Sequence, residues 1–452
     1  MAMFWHFQDC FKERTAFTFE GNDYSFTQLQ TLVSDAKAKL PSAGALVFLF
    51  CKNDINTLVH YLACLQNQVA VMLLDAGLSE QMSNELVVRF QPQAIVRSGE
   101  IQQTDLTQTL VDSRLAVLLP TSGSTGAAKQ VALSYENLQA NAESICSYLP
   151  IQDSDTTITT LPCHYSYGLS VLNTHLLKGA RCLLTDASVV SKDFWLYLQN
   201  DKITSFAGVP YTYEMLYKLR FHQKQFPSLR YITQAGGRLK PEVLSVYSQW
   251  MQEQEKAFYV MYGQTEATAR MAWLPPEKLS RKPSSIGNAI PGGQLSLVKG
   301  SKALDGDNGE LIYQGPNVML GYADSREGLA VFSPTNVLKT GDVAWQDDEG
   351  DFHIVGRLKR FVKIFGLRLG LDEIERFLDA SGVDARVCGI DDKLCVAVKN
   401  AQSCSSVKQQ LSERLKLHPS VIEIIQLEHF PVNSNQKTDY QAIESFFEAE
   451  RR

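Results

Sequence analysis

A chain of 452 residues is longer than one hydrophobic core usually supports, so two or three domains are expected. It is 44% hydrophobic and 20% charged, an ordinary globular composition, and a net charge of −6 without a basic stripe excludes nucleic acid or an anionic membrane as the main partner. The nine cysteines are scattered and lack CxxC or Cys/His spacing, which fits a reducing cytoplasm and excludes a disulfide framework or a zinc site.

The first residues carry no basic stretch followed by an apolar one, so no signal peptide is expected. The longest apolar runs, residues 45–51 and 69–74, are strand-sized, so no membrane span is expected either. Ser25-Phe-Thr-Gln28 reads as a capping box opening a helix through Leu29, Leu32, Val33 and Ala36. A second helical pattern, Leu58, Leu62 and Leu65, leads into the strand-like run 69–74. Strand-like segments at 115–119, 180–184 and 205–209 then alternate with helical ones at about 135–148, near Phe194 and at about 213–219. Such alternation predicts an α/β fold with helical crossovers. Past Gly292 the chain turns to short β-like runs separated by Gly/Asp turns, and a hinge-like stretch follows at Gly356-Arg-Leu-Lys-Arg360. The last stretch has helical patterns at 372–378 and 407–415, the makings of a small terminal domain.

Five segments bear on chemistry. Pro120-Thr-Ser-Gly-Ser-Thr-Gly-Ala-Ala-Lys-Gln-Val131 follows an apolar run and suits phosphate. Gly123 and Gly126 let backbone N–H groups turn inward, Thr121, Ser122, Ser124 and Thr125 add hydroxyls, and Lys129 adds charge. It is not a Walker loop, because that spacing counted from Gly123 arrives at Ala128. Tyr259-Val-Met-Tyr-Gly-Gln-Thr-Glu266 is an apolar strand ending in a turn that presents Thr265 for a phosphate oxygen and Glu266 for Mg2+. Gln234-Ala-Gly-Gly-Arg-Leu239 lets a flat ring approach backbone, and Lys339-Thr-Gly-Asp342 sets a carboxylate where ribose hydroxyls could bind. Phe430-Pro-Val-Asn-Ser-Asn-Gln-Lys-Thr-Asp-Tyr440 carries Lys437 on a turn. Taken singly, each of these is also what an ordinary turn or a surface lysine looks like.

Their order resembles the adenylate-forming superfamily of acyl- and aryl-CoA synthetases, nonribosomal peptide adenylation domains and firefly luciferase. The motifs in this chain are Thr-Ser-Gly-Ser-Thr-Gly-x-x-Lys, Tyr-Gly-Gln-Thr-Glu, Thr-Gly-Asp, Gly-Arg-x-Lys-x-x-x-Lys-x-x-Gly-x-Arg at 356–368, and Asn-x-Asn-Gln-Lys-x-Asp-Tyr. The resemblance runs from about Phe17 to the C-terminus. It implies a large N-terminal domain of αβ layers with a β-barrel-like part (1–357), and a small mobile α+β C-terminal lid (358–452) hinged near Lys359.

The resemblance also implies a reaction. A carboxylate attacks the α-phosphate of ATP, pyrophosphate leaves, and a thiol then displaces AMP from the acyl-adenylate. Residues 121–126 and Lys129 would cradle the β- and γ-phosphates, while Thr265 and Glu266 would serve the α-phosphate and Mg2+. Gly236, Gly237 and Arg238 would bound the adenine, Asp342 and Arg357 would hold the ribose, and Lys437 would bridge the carboxylate and the α-phosphate. Tyr262, Gly263 and Gln264 complete the ATP-binding set. In Leu161-Pro-Cys-His-Tyr-Ser-Tyr-Gly168, His164 matches a residue that gates the acid pocket, for which Gly168, Gly208, Val209 and Ala235 are further candidates. Tyr165, Tyr167 and Tyr262 favour a ring or a modest acyl chain. Lys359, Lys363 and Gly366 would serve the hinge and the pantetheine arm.

The chain departs from the family pattern at Ala128, Gln130 and Gln436, where Pro, Gly and Gly are common. The expected acceptor is coenzyme A. The alternatives are the phosphopantetheine of an acyl carrier protein and, in another class, a catalytically silent nucleotide- or acyl-binding protein of the same fold.

Overall fold

A computed structural model describes residues 3–106, 110–120, 129–299, 307–365, 367–390, 393–399 and 404–450. Two compact units divide the chain: Met1–Leu295 with Tyr313–Leu338, and Ser296–Ile312 with Lys339–Arg452. The hinge expected near Lys359 falls inside the second unit. Among the described residues, no helix is long and apolar enough to cross a membrane.

The first unit is mixed α/β. In one sheet the parallel strands Ala257–Tyr262, Tyr231–Gln234, Ser205–Gly208, Thr156–Ile158, Arg181–Leu184 and Thr15–Phe19 lie side by side. In a second, Leu115–Pro120, Ala70–Asp75, Leu46–Cys51 and Ala94–Arg97 are also parallel. Strands such as Leu46–Cys51 are buried on both faces, which is why they read as unbroken apolar runs. The capping box closes as its sequence predicts: Gln28 N donates to Ser25 Oγ at 3.2 Å, and Ser25 N donates back to Gln28 Oε1 at 2.7 Å. The helix it opens, Phe26–Lys37, buries Phe26, Leu29, Val33 and Ala36.

Parallel strands direct their carboxyl ends to one edge, where open α/β sheets bind ligands. Gly208, the turn after Gln234 and the turn after Tyr262 all lie at that edge of the first sheet. Residues 121–126 follow the carboxyl end of Leu115–Pro120 and lie outside the described residues.

The helix Ser166–Lys178 packs tightly against the segment before it, since a Cβ on Gly168 would lie 2.3 Å from the Pro162 carbonyl oxygen. This gives Gly168 a packing reason to be glycine. Further along the same helix, His175 is buried and its Nδ1–H donates to the Val171 carbonyl at 2.8 Å.

In the second unit, Ala385–Ile390, Lys393–Val398 and Ile422–Gln426 form a three-stranded sheet. Its helices are Leu371–Ala380, Cys404–Leu415 and Tyr440–Glu450. Strand Val337–Gln346 pairs antiparallel with Phe352–Arg357, setting Asp342 opposite Arg357. Neither sheet arrangement closes into a barrel among the described residues.

Burial holds the His175 pKa down to about 4 from an ordinary 6.5. The folded chain therefore binds fewer protons than the unfolded one across that interval, so this group's stability is present above pH 6.5 and lost as pH falls toward 4. Urea melts should show up to about 1.4 kcal/mol lost per pH unit from this residue, and His175→Gln should flatten the slope in that window.

Candidate active site

The turn after Ala257–Tyr262 gathers several expected residues in the first unit. The chain doubles back so closely that a Cβ on Gly263 would lie 1.8 Å from the Ala269 carbonyl oxygen, so only glycine fits there. Thr265 Oγ1 lies 3.2 Å from Ser166 Oγ, which joins the turn to the helix Ser166–Lys178. The Glu266 carbonyl accepts from Met319 N at 2.9 Å, and its carboxylate Oε1 accepts from the Tyr322 hydroxyl at 2.8 Å. Burial and the adjacent Glu266 push the Tyr322 phenol well above its ordinary pKa, so it stays a donor. Lys129 Nζ stands 5.8 Å from the centre of the same ring. Tyr322 thus stands between Lys129 and the Glu266 carboxylate, although sequence reading missed it and only Gly321-Tyr322 after an apolar run marks the place.

Half-buried Glu266 offers one carboxylate already oriented by a neutral donor. That suits Mg2+, which typically takes one or two protein carboxylates and fills its remaining positions with phosphates and water.

The neighbouring strand ends supply the remaining first-unit candidates. Gln234 Nε2 donates to the Gly237 carbonyl at 2.8 Å, and Gly236 takes φ +85°, which a side chain would strain. Arg238 is exposed, whereas Val209 and Ala235 are buried. Gln264 Nε2 is 3.4 Å from the Tyr262 hydroxyl. His164 is buried, with Nε2 3.8 Å from Asp75 Oδ2 and neither ring nitrogen hydrogen-bonded. Burial lowers its pKa while Asp75 and Asp186 oppose that shift, so the ring is neutral at pH 7.

The second unit assembles its own set. Asp342 is buried, and Arg357 Nε donates to its Oδ1 at 2.9 Å. Lys359 and Lys363 are exposed, and Gly366 lies outside the described residues. The Lys437 turn is held by Asn433, whose Oδ1 accepts from Lys437 N at 3.1 Å and whose N donates to the Lys437 carbonyl at 2.8 Å. Gln436 has φ +59°, the left-handed conformation glycine takes at no steric cost. This explains why glycine is common there and shows that glutamine still allows the turn.

Residues 98–323, half of the chain, match the model of a family described as AMP-binding enzymes. The chain belongs to the AMP-binding enzyme family. This AMP-binding enzyme is 27% identical to a 2-succinylbenzoate–CoA ligase of Listeria innocua, over 81% of the chain and 80% of that protein. It is 29% identical to a probable CoA ligase of Humulus lupulus over 59% of the chain, spanning about half (51%) of that relative's length. Its fold is similar to the o-succinylbenzoate CoA synthetase of Bacillus subtilis in complex with an acyl-adenylate intermediate, with a TM-score of 0.77, 21% identity and 94% of each chain covered.

Gly263→Ala should destabilise this AMP-binding enzyme by about 3 kcal/mol or more, because the added methyl meets backbone that cannot rotate away. Thermal unfolding measures this, and a loss within about 0.5 kcal/mol would contradict the tight turn.

Proposed function

We propose that this protein is an AMP-forming acid–CoA ligase, which activates a small carboxylic acid with ATP and passes the acyl group to the thiol of coenzyme A. The observation that carries the reading is the Thr265–Glu266 turn, set at the carboxyl edge of a parallel sheet and held by Ser166 and Tyr322. Family membership supplies the nucleotide, and the CoA ligases named above support the acceptor.

In the first step a carboxylate oxygen of the acid bonds to the α-phosphorus of ATP as the bond to pyrophosphate breaks. The obstacle is charge, since two anions must touch and negative charge builds on the phosphoryl oxygens. Thr265 donates its hydroxyl to an α-phosphate oxygen, Lys129 and the loop before it meet the outer phosphates, and Lys437 neutralises the approach of the carboxylate. Glu266 would hold Mg2+, which when bound offsets phosphate charge. Gly236, Gly237 and Arg238 bound the adenine, and Asp342 and Arg357 hold the ribose. His164, neutral and buried, gates the acid pocket bounded by Gly208, Val209 and Ala235. In the second step the CoA sulfur bonds to the acyl carbon and AMP leaves. The hinge at Lys359, with the 1–357 and 358–452 division, and the pantetheine contacts at Lys363 and Gly366 belong to this step.

ATP–pyrophosphate exchange over a panel of carboxylic acids tests the activation step and separates it from a silent binding protein. Adding CoA or a holo carrier protein to the productive acid then identifies the acceptor. Lys437→Ala should lower exchange by roughly 10²–10³-fold, the effect of losing one transition-state charge partner. Tyr322→Phe should raise the Mg2+ concentration needed for half-maximal rate several-fold while leaving the fold intact, because Glu266 loses its orienting donor. Full-rate exchange by Lys437→Ala, or no acid-dependent exchange at all, would overturn the reading.

A further inference from the structure

Arg270 is 97% buried by its relative exposure of 3%, yet among the described residues no carboxylate stands within ion-pair distance of it. Its Nε–H donates to Met261 Sδ at 3.3 Å, a weak acceptor, and its guanidinium lies 3.7 Å from the centre of the Tyr167 ring. Among the described residues, no hydrogen bond engages its terminal nitrogens.

The backbone beneath it is pinned. The Arg270 carbonyl accepts from Asn317 Nδ2 at 2.9 Å and from Asn141 Nδ2 at 3.1 Å. The Tyr167 ring is fixed as well, its hydroxyl 2.8 Å from Thr233 Oγ1. The guanidinium is therefore held in one place, which a merely packed arginine does not need.

Arg270 also lines a cavity of about 20 Å³, room for about one water-sized group. Among the atoms lining it, Ser205 Oγ, Tyr231 Oη and His175 Nε2 are buried without a hydrogen-bond partner. The hydroxyls of Ser205 and Tyr231 beside an uncompensated cation give the cavity donors for an anionic oxygen, whereas His175 Nε2, on a ring that donates from Nδ1 to Val171, is an acceptor and takes no part. Its place in the chain connects it to the acid candidates: Ala207 precedes Gly208, Thr233 precedes the Gln234–Gly237 turn, and Ser170 and Val171 follow Gly168 on one helix.

We propose that Arg270 receives a second anionic group at the far end of the acid, so that the substrate is a short dicarboxylic acid, activated at one end and held at the other by this guanidinium. The inference rests on the acid-activating reading above and deepens it. The cavity has room for about one oxygen of the distal group beside the guanidinium, and the planar fork of arginine matches a carboxylate.

The test compares short straight-chain dicarboxylates, from oxalate upward, with their monoamides in ATP–pyrophosphate exchange by the wild-type protein. Calorimetric titration of the same acids measures binding without chemistry. The best dicarboxylate should exceed its monoamide in kcat/KM by on the order of 10²-fold or more, chiefly through KM. Arg270→Met should erase that preference and the binding heat, and Arg270→Lys should restore part of it. If monoamides or monocarboxylates drive exchange as well as dicarboxylates, the subsite is overturned while acid activation stands. If no acid drives exchange but dicarboxylates bind the wild type and not Arg270→Met, the subsite stands and the activation reading falls. If dicarboxylates do not bind, the subsite falls, and if in addition no acid of any kind drives exchange, the activation reading falls with it. The wild-type comparison decides the matter even where a variant fails to fold.

Discussion

One buried amide organises the first unit's chemistry. Asn317 Nδ2 donates to the Ala267 carbonyl at 2.8 Å and to the Arg270 carbonyl at 2.9 Å, while its Oδ1 accepts from the Tyr313 hydroxyl at 2.7 Å. The Asn317 carbonyl in turn accepts from Thr268 Oγ1 at 2.7 Å. Between the two tethered carbonyls, Thr268 sits at φ +63°, a conformation costing a β-branched residue on the order of 1–3 kcal/mol. The amide holds that conformation, because releasing it would orphan polar groups in a buried place. On one side of the strained residue the chain presents Thr265 and Glu266, and on the other it turns Arg270 inward. Both arrangements depend on the same few bonds.

The second unit uses charge where the first uses an amide. Arg360, one residue past the candidate hinge Lys359, is bonded to Asp372, donates to Glu375 at 2.7 Å and to the Val387 carbonyl at 2.9 Å, and lies 3.9 Å from the centre of the Tyr440 ring. Tyr440 donates to Glu375 at 3.1 Å. Arg357 N meets Asp372 from the strand side at 3.0 Å. The segment carrying Lys437 and the end of the hinge-like stretch are thereby fixed to one helix, Leu371–Ala380.

Local signals were readable and long-range ones were not. The capping box at Ser25, the apolar runs that became central strands, and the helix Tyr135–Tyr148 follow from caps and periodicity a few residues wide. The helix Ser166–Lys178 escaped because ten of its residues are buried on all sides, which erases the one-sided pattern that marks an amphipathic helix. Tyr322, Asn317 and Arg270 escaped for a different reason. Their roles come from partners such as Glu266 and Ala267, 56 and 50 residues away from the first two. The five motifs were legible because each is a short run of particular residue types side by side, whereas a supporting tyrosine or asparagine can be reached from anywhere in the chain.

Arg270, buried, and Arg360, partly buried, show how a fold distinguishes support from recognition. Desolvating a guanidinium costs on the order of several kcal/mol, whatever its purpose. At Arg360 that cost is offset by Glu375 and Asp372, supplied by the same unit, so the group needs nothing further. At Arg270 the offset among the described residues is a sulfur and the face of a tyrosine, weaker than any carboxylate. A charge compensated from within stabilises a structure. A charge left uncompensated, rigid and beside a polar cavity is stable only in proportion to what enters that cavity, and this is the physical condition for selecting a ligand by charge.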